Sequence, residues 1–187
     1  MRIALLGGSF DPLHLGHLLL GVELLWRHEP DALWLLPVAR HPFDKALSPF
    51  ADRLEMTRIG ARLLGPKAEA RSDEDELVRR GGDGTTISLV RHLIALQPGA
   101  RFSLALGADA WAQRAEWRDF ESLSKLADVL IFNRAGVEPI EGAGPALPDI
   151  SSTAVRERVG LQQPIEDLVP AEVARYIRAR GLYRQAG

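Results

Sequence analysis

Two histidines, His14 and His17, stand three residues apart just after a pair of glycines that ends a short apolar run. The full stretch reads Gly7-Gly8-Ser9-Phe10-Asp11-Pro12-Leu13-His14-Leu15-Gly16-His17. Glycines at a strand end let backbone N–H groups approach an anion closely, because no Cβ intervenes. A helix start adds free N–H groups and a partial positive charge. Imidazoles at i and i+3 share a helical face. These parts make a phosphate cradle of hydrogen-bond donors without a large standing charge. Gly16 is expected to clear a place where a ligand lies against the helix. A metal site on the two histidines would need a third ligand. The chain has no cysteine and no obvious acidic partner nearby in sequence.

Two familiar phosphate loops are absent. No Gly-x-Gly-x-x-Gly follows the first apolar run, and no Gly-Lys-Ser/Thr occurs. A dinucleotide fingerprint is therefore unsupported and a Walker loop is excluded.

The elements that must hold such a loop are readable from the apolar pattern. Residues 3–6, 32–36, 102–106 and 129–132 are short continuous apolar runs, the mark of strands buried on both faces. Between them lie segments with helical spacing: residues 13–26 after Asp11-Pro12, residues 48–64 from Ser48-Pro49 to Gly65, and residues 85–96. Further helices are expected through Leu123 and Leu126, after Ser152-Thr153, and over residues 171–180. Residues 71–80, with seven charged residues in ten, read as a solvated face or loop. Residues 136–148, rich in Gly, Pro and Ala, read as a loop. Alternating strands and helices predict an α/β domain with a mostly parallel sheet and helices on both faces. Ligands of such sheets sit outside the carboxyl ends of the strands, where the candidate residues fall.

At 187 residues the chain fits a single domain over 1–187. With 23 Lys+Arg against 25 Asp+Glu it has no general attraction for nucleic acid or an anionic membrane. Having no cysteine excludes disulfides, thiolate zinc sites and Cys nucleophiles, and it suits the cytoplasm. No run of 18 apolar residues is present, so no membrane span is expected. The first residues are too short an apolar run for a signal peptide. A homo-oligomer is compatible with the sequence.

The segment from Gly7 to His17 resembles the signature of the HxGH nucleotidyltransferases, and more narrowly that of the bacterial nicotinate-nucleotide adenylyltransferases. The resemblance continues through Gly107-Ala108-Asp109, Trp117, the strand end at Arg134, Ile150-Ser151-Ser152-Thr153-Ala154-Val155-Arg156, and Leu168-Val169-Pro170 with the helix after it. It covers almost the whole chain. Two segments depart from the family. Gly84-Thr85 stands where the family has Tyr-Thr, and Arg40-His41-Pro42-Phe43-Asp44-Lys45 replaces its Pro-Pro-His-Lys loop.

The resemblance implies a Rossmann-like fold and transfer of the adenylyl group of ATP to nicotinate mononucleotide, with Mg²⁺ arriving on the phosphates. It implies that Gly8, Ser9 and Phe10 surround the nucleotides. His14 and His17 would donate to ATP phosphates. Asp109 would accept from a ribose hydroxyl, and Ser152, Thr153 and Arg156 would hold the triphosphate. Trp117 would stack on the pyridine ring and Thr85 would read its substituent. Lys45 and Arg134 are candidates for the mononucleotide phosphate. Trp26, Trp34 and Trp111 are assigned to packing. The alternatives are a different phosphate acceptor, such as nicotinamide mononucleotide, and a nucleotide-binding protein without catalysis.

Overall fold

The computed structural model describes residues 1–40, 46–136 and 138–184. Six strands form one sheet in the order β3-β2-β1-β4-β5-β6. They are β1 (Arg2–Gly8), β2 (Ala32–Pro37), β3 (Ala68–Ala70), β4 (Arg101–Gly107), β5 (Asp128–Arg134) and β6 (Gly144–Leu147), and every adjacent pair is parallel. The chain moves outward from β1 to β2 and β3, then returns to the other side of β1 with β4. That reversal puts a topological switch point between β1 and β4, where a crevice opens at the carboxyl ends.

The helices are α1 (Leu15–Glu23), α2 (Phe50–Leu64), α3 (Asp73–Arg79), α4 (Thr86–Leu96), α5 (Ala108–Ala112), α6 (Phe120–Leu126), α7 (Ser152–Gly160) and α8 (Ala171–Arg180). Side chains alternate along the central strands, so each strand feeds two cores. Ala4, Leu6, Leu33 and Leu35 join Leu20, Met56, Val155 and Val173 on the face covered by α1, α2, α7 and α8. Ile3, Leu5, Trp34 and Leu36 join Val90, Leu93 and Leu123 on the face covered by α4 and α6. Burial on both faces is why these strands read as unbroken apolar runs.

Four expectations change. Residues 71–80 contain α3 rather than only a solvated loop, and its Asp73 and Glu74 are buried. The expected loop at 136–148 includes edge strand β6. Helix α1 starts at Leu15 with His14 as its N-cap, so Asp11-Pro12 lies before the helix rather than at its first turn. Trp34 is buried and Trp111 is half-buried, but Trp26 is 83 % exposed and contributes little to packing.

Glu74 sits under the turn that follows β2, where its carboxylate accepts from Ala39 N–H at 3.0 Å. Burial pushes its carboxyl up to about 7, against the opposing pull of that N–H and of Arg53. An acid raised in the folded state destabilises that state once ionised. The cost grows as pH rises from the unfolded value of about 4.5 to about 7 and is constant above. Glu74→Gln keeps an acceptor for Ala39 and removes the charge. It is expected to raise Tm by roughly 2–6 °C at pH 8, with the gain vanishing near pH 4.5. Thermal melts of both proteins across that range check it.

Candidate active site

The loop after β1 turns sharply at Phe10. Its φ of 46° lies in the left-handed region, which costs a non-glycine residue about 1 kcal/mol or more. Complete burial of the ring holds it there. The ring meets His17 edge-on, with centroids 4.8 Å apart. His14 and His17 stack at 3.7 Å in the first turn of α1. Gly16 makes this possible, since a Cβ there would come within 3.0 Å of the His14 ring. The space at Gly16 thus accommodates the His14 imidazole.

His14 N–H donates to His17 Nδ1 at 3.2 Å. A nitrogen that accepts from the backbone carries no proton, so neutral His17 holds its proton on Nε2. Burial lowers His14 to about 4, helped by the nearby Arg134 charge. Burial and the neighbouring His14 hold His17 well below its ordinary value. Both rings are thus neutral donors at pH 7. His14 Nδ1 is buried and has no hydrogen-bond partner among the described residues. The helix start is less open than expected, because Leu15 N–H already donates to Leu168 O at 2.8 Å and His17 N–H to His14 O at 3.0 Å.

Helix α7 brings the second motif to this loop. Its N-cap is Ser151, whose hydroxyl accepts from Ala154 N–H at 3.1 Å. Ser152 Oγ donates to Pro12 O at 2.9 Å. Arg156 donates to Asp11 O at 2.7 Å and to Thr153 Oγ1 at 3.2 Å. Asp11, expected from its place in Asp11-Pro12 only to open the first helix, is a hub. Its carboxylate accepts from Ser48 N–H at 3.1 Å and from Tyr183 Oη at 2.7 Å. Burial and that carboxylate push the Tyr183 phenol up, so it stays protonated and donates.

A cleft of about 210 Å³ results, lined by Ser9, Phe10, Asp11, His17, Ala46, Leu47, Ser152, Thr153 and Arg156. It unites residues 9–17 with residues 152–156. A larger open depression of about 550 Å³, between the end of α2 and edge strand β3, contains none of the candidate residues.

Asp109 lies at the carboxyl end of β4, at the start of α5. Arg134, at the end of β5, donates to Asp109 and, through Nε, to Asp149 Oδ1 at 2.9 Å. Arg134 is thus committed to two carboxylates and acts electrostatically on His14. This sets Arg134, a candidate for the mononucleotide phosphate, beside Asp109 and His14.

Thr85 caps α4, accepting from Ser88 N–H at 3.4 Å. Its own N–H and hydroxyl donate to Asp83 Oδ1 at 3.1 and 2.8 Å. These bonds hold the Asp83 carboxyl down at about 2. Arg118 donates to the other Asp83 oxygen at 3.1 Å. Asp83 therefore ties the turn that carries Thr85 to the segment that carries Trp117. Trp117 is half-buried, edge-on to Phe120 at 6.1 Å. Trp117 packs on the face covered by α4 and α6 and Thr85 caps α4; neither lines the 210 Å³ cleft. Lys45 lies outside the described residues. Among the described residues no group of three or more His, Asp or Glu is placed to hold a metal ion. No helix among them is long and apolar enough to cross a membrane.

Residues 5–158 match the family described as cytidylyltransferase-like. A relative from Anaeromyxobacter sp. (strain K), described as "Probable nicotinate-nucleotide adenylyltransferase", is 44% identical, covering 98% of this chain and 97% of its own. One of the same description from Corynebacterium glutamicum is 36% identical, covering 100% and 90%. The solved structure of Plasmodium falciparum nicotinic acid mononucleotide adenylyltransferase complexed with NaAD superimposes with a TM-score of 0.81 over 97% of each chain. At 21% identity that likeness establishes the fold. By its full-length relatives, the chain belongs to the nicotinate-nucleotide adenylyltransferase family, within the cytidylyltransferase-like proteins.

Proposed function

We propose that this protein transfers the adenylyl group of ATP to nicotinate mononucleotide, forming nicotinate adenine dinucleotide and pyrophosphate in cytoplasmic NAD synthesis. The observation that carries the reading is the cleft at the carboxyl end of β1, where His17, Thr153 and Arg156 converge on the loop Ser9–Asp11. The full-length relatives support the same reaction.

The acceptor's 5′-phosphate attacks the α-phosphorus of ATP. One P–O bond forms to the acceptor, and the bond from the α-phosphorus to the bridging oxygen breaks. Pyrophosphate leaves with the bond electrons. A phosphate monoester has a second pKa near 6, so it is mostly dianionic at pH 7 and needs no general base. The protein's tasks are to bring two anions together and to stabilise charge on the leaving group. His17 serves through Nε2–H, and His14 lies stacked beside it. Arg156 keeps part of its fork on Asp11 O and Thr153 and offers the rest to the triphosphate. Gly8, Ser9 and Phe10 wall the nucleotide, and Ser152 fixes α7 against that wall. Asp109, oriented by Arg134, accepts from ribose. Mg²⁺ comes with ATP, held by phosphate oxygens and water.

The acceptor's ring stacks on Trp117, and the turn at Thr85 reads the ring substituent. Stacking a cationic pyridinium on indole contributes roughly 0.5–2 kcal/mol. Trp117→Ala is expected to raise KM for the mononucleotide at least several-fold and to leave KM for ATP nearly unchanged. Pyrophosphate release, measured while each substrate is varied in turn, checks both. Movement of the ATP constant instead would remove Trp117 from the acceptor site. ATP-dependent pyrophosphate release that needs no pyridine mononucleotide would refute the proposed reaction itself.

A further inference from the structure

Among the described residues Arg53 is the largest fully buried side chain, only 1 % exposed, and no step of the proposed reaction uses it. It lies one turn into α2, on the face that also buries Met56, Thr57 and Gly60. A guanidinium in such a place is costly to desolvate, and an apolar residue of similar volume would suit a core position better. Burial accordingly lowers its pKa, although Asp11 and Glu74 pull the other way. What the guanidinium holds is three main-chain carbonyls from two loops, one after β1 and the two ends of the β2–α2 connection. Nη1 donates to Ser9 O at 2.9 Å and to Val38 O at 2.8 Å. Nε donates to Ser48 O at 3.0 Å. The Phe50 ring lies 5.3 Å from the guanidinium carbon.

These carbonyls belong to different parts of the crevice. Ser9 is in the loop that walls the nucleotide cleft. Val38 follows β2, and its N–H donates to Gly8 O at 3.0 Å. Ser48 follows Ala46 and Leu47, which line the cleft, and its N–H donates to the Asp11 carboxylate. One planar group thus sets the separation of the loops after β1 and β2 and the entry to α2. Lysine carries the charge but not the fixed fork needed to serve three acceptors at these angles.

We propose that Arg53 is a positioning residue, holding the loops after β1 and β2 in the relative placement that brings the acceptor phosphate in line with the α-phosphorus of ATP. The proposal rests on the reading of the site as an adenylyltransferase. A misplacement of about 1 Å between reacting groups can cost about a hundredfold in rate while each substrate still binds.

The test compares Arg53→Lys and Arg53→Met with the parent protein, full length, well below the Tm of each. Initial rates give kcat per folded molecule and KM for ATP and for nicotinate mononucleotide, and calorimetry gives the Kd for ATP alone. The expected result is a fall in kcat of roughly 10–100-fold in both variants, with each KM and the ATP Kd within about threefold. A kcat within about threefold of the parent overturns the proposal. So does a loss confined to the KM of one nucleotide, or failure of both variants to fold, which assigns Arg53 to stability alone. A parent protein that makes no dinucleotide overturns the functional reading first and this role with it.

Discussion

Replacing His17 with alanine is expected to lower kcat by roughly 10²–10³ while the protein stays folded, the size of effect seen when one preorganised donor to a transition-state oxyanion is removed. The donor is preorganised in two ways. His14 N–H occupies Nδ1, which fixes the proton on Nε2. Stacking on His14 and edge contact with Phe10 fix the ring plane. Burial keeps the ring neutral, so its tautomer does not change across the working pH range. The substitution removes an acceptor for one helix-start N–H, a loss of about 1 kcal/mol, and it takes only an edge contact from one core residue, Phe10. Steady-state kinetics beside a thermal melt checks both halves. A His17→Ala protein with near-normal kcat would take His17 out of the reaction.

Arg156→Lys is expected to cut kcat/KM for ATP by roughly 10–100-fold although the charge is kept. Arg156 already donates to Asp11 O and Thr153 Oγ1 from two nitrogens of its fork. A planar fork can keep those bonds and still present N–H groups to a phosphate, whereas an ammonium on a flexible stem must choose. The lost bond to Asp11 O also loosens the loop that carries His14. Both effects weaken transition-state binding, and a loss of 1.4–2.8 kcal/mol corresponds to about that 10–100-fold range. Equal kinetics for Arg156→Lys and the parent would assign Arg156 to the surface.

The central strands were legible because burial on both faces leaves no polar residue to interrupt the run, as at Leu33-Trp34-Leu35-Leu36. The edge strands were not. Ala68-Glu69-Ala70 is three residues long with a carboxylate in the middle, and Gly144-Pro145-Ala146-Leu147 carries a proline that only an edge position tolerates. Helix α3 was hidden by its charge, since burial of Asp73 and Glu74 depends on Arg71 and Ala39 rather than on any local pattern. The paired histidines were legible because their geometry is local to one helical turn. The groups that hold the site together were missed because their contacts are remote. Tyr183 reaches Asp11 across 172 residues and Arg53 reaches Ser9 across 44. One signal for Arg53 was available: a charge at positions spaced with Met56 and Gly60, on the face of α2 that should be apolar. Asp83 had a weaker one, an acid between glycines two residues before a capping threonine.

The acceptor half carries the larger departures from the family, Gly84 before Thr85 and the longer loop ending at Lys45. Acceptor choice is therefore set by the residues of this half. Both pyridine mononucleotides carry the cationic ring, so Trp117 cannot choose between them. The choice falls to the N–H groups at the start of α4, since the N–H and hydroxyl of Thr85 itself are taken up by Asp83. A carboxylate accepts on both oxygens, whereas a carboxamide presents a donor at one position. The decisive measurement is kcat/KM for nicotinate mononucleotide and for nicotinamide mononucleotide, with ATP saturating and pyrophosphate release as the readout. A higher value for nicotinate mononucleotide is the predicted result, and a higher value for nicotinamide mononucleotide, or no turnover with either, would contradict the account.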